Sequence, residues 1–414
     1  MKEDLITNLG NPRQLEKLYR DNKTIFRREF NSVYPNIKEN TVAQIWNERL
    51  NFENEGISWG TKGELFFVII ASFVAGFIAK CPRFFDINPE HFYQRNIAFI
   101  FFPLLITYFA WKQQLQVKRI AIISLTLIIS LTYINLLPND NNSDTLILAC
   151  IHLPLLLWAV LGSTYLGNTL QSPQRRLDFL RYNGDLVVMT TIILLAGGLM
   201  SAITMGLFGL IGLHIESFYI EYIGVWGLAA APIVGTYLVQ TNPQLVSKVS
   251  PVIAKVFTPL VLTMLVVYLA AVVFTGKDPY NNREFLLIFN ALLIGVMAII
   301  LFSIAETSKN ANNKIEIIML LGLSIVTIVI NGIALSAIVF RISEWGITPN
   351  RLAVLGSNIL ILINLLLVTY KLFETAKDYR GIDKVETTIT SFLPIYAIWT
   401  VLVIFVFPLA FSFK

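Results

Sequence analysis

The sequence predicts an all-α protein, a polytopic transmembrane helical bundle of about eleven spans preceded by a small N-terminal cytoplasmic helical domain. Three observations carry that prediction. Of the 414 residues, 55% are hydrophobic and only 14% are charged; a soluble domain carries about a quarter charged residues, so much of this surface does not face water. From Glu64 onward, apolar runs of roughly twenty residues recur, the length a helix needs to cross about 30 Å of hydrocarbon. Finally, Lys and Arg are shared unevenly between alternate loops.

Taken in order, residues 1–62 read as a soluble helical domain and residues 63–414 as the membrane domain. Asn11-Pro12 supplies an N-cap and a proline at the first helical position. Leu15, Leu18 and Tyr19 follow at helical spacing, and Ile25, Phe26 and Phe30 extend the apolar stripe until Pro35 is expected to stop it. Thr41 to Gln44 has the form of a capping box, opening a helix with Val42, Ile45, Trp46 and Leu50 on one face. Sixty residues is a marginal size for independent stability, so this unit is expected to lean on the membrane domain or on another chain. Trp46, Phe52 and Trp59 read as aromatics available to a cytoplasmic protein partner. The opening segment has no apolar core of the kind a signal peptide needs and no lipidation motif, which places it in the cytoplasm with the first span as targeting signal.

The spans are expected near 65–80, 96–111, 119–137, 145–166, 186–213, 220–240, 255–275, 285–305, 315–340, 352–372 and 391–412. From Leu352 to Val368, the Leu, Ile and Val residues, at roughly −0.3 to −0.6 kcal/mol each, give about −5 kcal/mol of insertion tendency. Asn358 and Asn364 erode that without cancelling it. Unpaired backbone groups cost several kcal/mol in lipid, and solid runs such as Ile359 to Ile363 lack the alternation of a barrel, so the spans are helices. With the N-terminus inside, Lys112, Lys118, Arg119, Arg175, Arg176 and Lys371 fall in inner loops, while the loop from Pro138 to Asp144 carries no base. That asymmetry and an odd span count predict an N-in, C-out protein of a cytoplasmic membrane.

Few residues offer chemistry. Cys81 and Cys150 are too few for a disulfide framework. The net charge of +5 reflects loop placement and gives no reason to invoke nucleic acid. The histidines His91, His152 and His214 form no metal-spaced pair, and no nucleotide-binding loop or nucleophile motif is present. No catalytic residue, metal or cofactor is therefore predicted. His152, beside Pro154, reads as a hydrogen-bonded packing residue, and the near absence of carboxylates from span centres argues against an ion-coupled pump.

What polarity the spans hold is mostly amide. Asn290, Asn331, Asn358 and Asn364 fall in three consecutive predicted spans, where they either bond one helix to another or line a pathway. The fifth run carries Gly197, Gly198, Gly206, Gly209 and Gly212, consistent with close helix packing or with a broken helix lining a cavity. Between the ninth and tenth spans, Arg341 to Arg351 concentrates Arg341, Glu344, Trp345 and Arg351 around a turn. Gly346 can end one helix there, Thr348 can cap the next, and Pro349 fits its first turn. The arginines would then pair with Glu344 or hold an anionic ligand or lipid phosphate.

That turn, Trp345-Gly-Ile-Thr-Pro-Asn-Arg351, resembles the signature of the bacterial membrane family known as domain of unknown function 4153. The run Phe257-Thr-Pro-Leu-Val-Leu, continuing through Leu265-Val-Val-Tyr-Leu, and the Leu-Phe-Gly-Leu-Ile-Gly of the fifth run resemble further parts of it, so the likeness covers roughly 65–375. It implies a multi-pass bacterial inner-membrane protein and brings no activity with it. Three functions are compatible with the sequence. One is transport of a small solute, ion or lipid, with membrane lipids as neighbours and an oligomer allowed. A second is a sensor or scaffold docking a partner through the N-terminal domain. The third is an intramembrane enzyme on lipid-linked substrates, for which an acid/base group beyond Glu344 and His91 is missing.

Overall fold

A computed structural model describes residues 2–21, 23–52, 59–140, 143–210, 214–246, 249–275, 283–307, 314–378 and 382–414. Among them the secondary structure is helical throughout, and the chain divides into two compact units, Met1–Gly60 and Thr61–Lys414. Gly212 and the pair Asn141-Asn142 lie outside the described residues, as do the side chain of Phe52 and the surroundings of Gly209.

The first unit folds four helices, α1 (Lys2–Thr7), α2 (Pro12–Asp21), α3 (Lys23–Ile37) and α4 (Thr41–Phe52), around one core. Leu5, Leu15, Phe26, Phe30 and Leu50 are buried in it. Asn11 caps α2 through a bond from the Gln14 amide, as its spacing predicts. Two details differ from expectation. The chain runs two residues beyond Pro35 before α3 ends, because a proline in the last turn removes one bond without blocking the turn. The cap of α4 is Asn40 and not Thr41: its Oδ1 accepts from the amides of Val42 and Ala43. Trp46 is a core residue at 6% exposure, edge-on to Tyr19 and tilted against Phe26, and is not available for docking, whereas Trp59 is exposed.

The second unit begins with α5 (Lys62–Phe84), opened by a full capping box in which Glu64 N–H donates to Thr61 Oγ1 and Thr61 N–H donates to Glu64 Oε2. The expected second span is not one continuous α-helix. It is divided into α6 (Pro89–Asn96), a 3₁₀ turn at Ile97–Ile100 and the short α7 (Phe102–Lys112). Pro103 explains the break, since it cannot donate back to Phe99 and its ring crowds that carbonyl. Then follow α8 (Val117–Leu136), α9 (Asp144–Tyr165), α10 (Pro173–Leu210), α11 (Glu216–Phe218), α12 (Val225–Thr241) and α13 (Val249–Thr275). The bundle ends with α14 (Arg283–Thr307), α15 (Lys314–Trp345), α16 (Pro349–Asp378), α17 (Ile382–Val401) and α18 (Phe407–Ala410), with π-turns between α11 and α12 and between α17 and α18.

Eight helical stretches among the described residues are long and apolar enough to cross a membrane. Two more helices, α13 and α14, have described apolar cores only at Val256–Val267 and Leu292–Ala305. The protein is thus a helical integral membrane protein. At 38 residues, α10 is about 57 Å long and exceeds the hydrocarbon core. Its first half carries Leu177, Phe179 and Tyr182 into the core. Only 6% of its most apolar stretch is buried, against 56% for α9. Neither Gly197, Gly198 nor Gly206 has a neighbour within 4 Å of where a Cβ would stand. Close packing through small residues occurs elsewhere, at Gly76 against Trp226, Gly184 against Phe302 and Gly356 against Trp399.

Candidate functional site

Helices α9, α14, α16 and α17 enclose a cavity of about 350 Å³, at the lower end of the usual ligand-pocket range of about 300–1,000 Å³. Helical periodicity builds it. On α9 the lining falls at Leu148, Ile151, His152 and Leu155, spaced as one face. On α16 it falls at Ala353, Val354, Ser357, Asn358 and Ile361. Because Leu148 and Ala353 each lie about one turn inside their helix N-termini, the cavity starts near those ends and reaches toward mid-bundle. Two indoles complete the wall, each anchored by its N–H: Trp158 donates to Asn183 Oδ1 of α10 and Trp399 to Ser357 Oγ, both at 2.9 Å. Gly356 makes room for the second, since a Cβ there would overlap the Trp399 ring.

Among the described residues that line it, none is charged. The polar atoms are neutral and only partly engaged. The Leu148 carbonyl can only accept, so His152 Nδ1 carries the proton of their 2.8 Å bond, and Nε2 of the neutral ring is left as an acceptor. Asn358 Nδ2 donates to Asn290 Oδ1 at 2.8 Å, while Asn358 Oδ1 has no hydrogen-bond donor among the described residues. Tyr396 Oη accepts from Asn364 Nδ2 at 2.8 Å and Ser357 Oγ accepts from Trp399. Each hydroxyl thereby keeps a proton to donate.

The four asparagines named by the sequence separate into two groups. Asn290 and Asn358 line the cavity. Asn331 and Asn364 do not: both are fully buried in helix contacts, Asn331 donating to the Asn358 carbonyl at 3.3 Å and Asn364 to Tyr396. The turn between α15 and α16 forms as its residues predict. Gly346 takes φ +76°, ending α15, and Thr348 Oγ1 accepts from the Arg351 amide. Arg351 Nη1 donates to the carbonyls of Trp345 and Gly346 at 2.8 and 2.7 Å, satisfying the helix end. The Arg341 and Arg351 guanidinium groups stand 5.4 and 5.8 Å from the Trp345 ring centre. Glu344 makes no ion pair with either among the described residues.

Arg95 lies just before the second expected span, at a loop edge where an arginine ordinarily faces solvent. It is 1% exposed. Its Nη1 donates to the carbonyls of Ile134 and Leu137 at 2.6 and 3.0 Å, and Nη2 reaches Pro138 and Asn139. Arg95 thus closes the C-terminal end of α8, where the helix dipole is negative. Beside it Asn96 and Asn135 exchange two amide bonds. A second buried cation, Lys80, pairs with Glu221 at 3.0 Å and lies against the Tyr222 ring. Two carboxylates, Glu316 and Glu386, are buried near the starts of α15 and α17, away from the cavity lining. No group of three or more His, Cys, Asp or Glu among the described residues is placed to hold a metal ion, and Cys81 and Cys150 are free thiols.

No protein-family model, curated protein or solved structure matches this chain.

Proposed function

We propose that Thr61–Lys414 is a transport unit of a bacterial inner membrane that takes a small, uncharged, largely apolar solute or lipid into the cavity between α9, α14, α16 and α17. The single observation behind this reading is the cavity's lining, apolar with a few neutral hydrogen-bonding groups and no charge among its described residues. An ion would have to shed its water there without a counter-charge, which costs several kcal/mol or more. An apolar molecule with one polar end would not. About eleven crossings, an inside N-terminus and an outside C-terminus fit the positions of Lys and Arg, and the resemblance to domain of unknown function 4153 supports the bacterial setting.

Native mass spectrometry of protein extracted gently from its own membrane tests this directly. A neutral molecule retained in stoichiometric amount, and lost when Ala397→Trp fills the cavity, is expected. Retention of an ion or an anionic headgroup in its place would sink the reading. A cytoplasmic docking role for residues 1–60 finds support in the exposure of Ile45 and Trp59. It predicts a co-purifying polypeptide that disappears when Met1–Gly60 is deleted.

A further inference from the structure

We infer that the ligand of this cavity carries a free hydroxyl on a hydrocarbon body, a long-chain alcohol in chemical class, and that it enters sideways from the lipid. The inference rests on the cavity being a binding site and adds what the site selects.

The unused valences decide the head group. His152 Nε2 and Asn358 Oδ1 are acceptors awaiting a donor, so the ligand must bring an O–H or N–H. Ser357 and Tyr396 each hold a hydroxyl proton that lacks an acceptor, so the same ligand group must also accept. An ester or ether oxygen only accepts. An ammonium only donates and would be a buried charge with no counter-ion in the described lining. A hydroxyl does both and is neutral, giving its one proton to His152 Nε2 or to Asn358 Oδ1 while its oxygen accepts from Ser357 or Tyr396. Leaving either set unmatched beneath a bound apolar body would cost the desolvation of those groups, which is how such a site tells an alcohol from an ether.

The body follows from the remaining lining, which is aliphatic and aromatic. The route follows from exposure: Ile151 and Ile294 line the cavity and are 59% and 61% exposed, so the wall they form between α9 and α14 is open. Both sit mid-helix in apolar stretches, so the opening between α9 and α14 faces hydrocarbon and not water.

The test uses the full chain reconstituted in lipid nanodiscs and a dodecanol analogue bearing a photoreactive diazirine on its tail. Labelled peptides are mapped by mass spectrometry, with dodecanol, dodecyl methyl ether and dodecyl phosphate as competitors. Labelling of lining peptides on α9, α16 and α17 is expected, displaced by dodecanol about tenfold more effectively than by the ether or the phosphate. His152→Phe should weaken dodecanol competition about fivefold, with His152→Gln, which keeps an acceptor, restoring part of it. Equal competition by the ether, or stronger competition by the phosphate, would overturn the hydroxyl class while leaving the cavity a binding site. Absence of any label on the lining peptides of the wild-type chain would overturn that reading as well, so the two failures are distinct and neither depends on a variant that folds.

Discussion

Arg95 and His152 are both polar groups held inside the second unit, and the contrast between them separates structure from recognition. The Arg95 guanidinium directs its terminal nitrogens at four oxygens, one in the last turn of α8 and three in the residues just after it, leaving only Nε without an acceptor. His152 commits one nitrogen to its own helix and leaves the other open beside a cavity. Nearly all of the first residue's bonding capacity is used by the fold. Half of the second's is unused. Around Arg95 the neighbours behave likewise, Asn96 and Asn135 consuming each other, whereas around His152 the groups of Ser357, Asn358 and Tyr396 are each half-committed. Partly satisfied polarity beside a void is costly unless something fills it, which is why the proposed ligand is placed there.

The largest expected effect tests the first half of the contrast. Arg95→Met would strip the end of α8 of its charged donors and leave carbonyls buried without partners. The loss should be on the order of 3 kcal/mol, read as a lowered unfolding temperature of the purified protein. Arg95→Lys keeps the charge but not the planar fork, and should fall between the two. A Met variant as stable as the wild type would mean that these bonds do not hold α8 in place.

Packing gives the next test, smaller in size. Gly356→Ala pushes a methyl into the Trp399 ring, and should cost about 1–3 kcal/mol while breaking the Trp399–Ser357 bond at the cavity wall. Gly198→Ala has open space and should be neutral or stabilising by up to about 1 kcal/mol, because alanine is the better helix former. Equal destabilisation by both would show that the glycine face of α10 is covered by something.

These variants also mark what the sequence revealed. Eight of the expected runs stand among the described residues as helices long and apolar enough to cross a membrane, legible from apolar length because the backbone leaves a lipid-embedded chain little choice. The break at Pro103 was missed because an uninterrupted apolar run masked a proline's local veto. The sequence named four amides in three consecutive expected spans, Asn290, Asn331, Asn358 and Asn364. Which of them face a void depends on helix rotation, so Asn290 and Asn358 could not be told from Asn331 and Asn364 by residue type. His152 looked like a packing histidine, and half of it is. The fifth run's glycines drew attention by their number, yet close approaches are found at lone glycines elsewhere, such as Gly76, Gly184 and Gly356 opposite aromatic rings, a pairing that no single segment displays. Arg95 was hidden by its place next to a loop, where an arginine ordinarily faces solvent.

Within the amides the contrast sharpens again. Asn331→Leu removes a single 3.3 Å bond from a residue outside the cavity lining, and should cost about 1 kcal/mol or less and leave dodecanol competition unchanged. Asn358→Leu removes an acceptor that borders the cavity, and should weaken that competition severalfold. Matching losses of competition would mean that the ligand senses the α15–α16 packing as a whole and not the atoms facing the void.

The smallest effect lies in the first unit, where polarity meets water and little is at stake per bond. Glu16 accepts from Arg20 Nε at 2.8 Å and from Arg49 Nη1 at 3.0 Å, and the hydrogen bond from Arg20 is the leading cause that holds its carboxyl below the ordinary 4.5. A carboxyl whose folded pKa is depressed stabilises the fold above its unfolded pKa, and that contribution is lost as pH falls through the folded value. Arg49 also lies over the Tyr19 and Trp46 rings, so the ion pair joins α2 to α4 across the core that Trp46 fills. Amide protection of residues 15–19, measured in the full chain by hydrogen exchange and corrected for intrinsic rates, should therefore drop modestly on acidification below 4.5. Glu16→Gln should remove that pH dependence while leaving protection in the membrane unit untouched. Because the pair is solvent-exposed, added salt should blunt the same difference; a pH response that salt leaves unchanged would place its origin in a buried group instead.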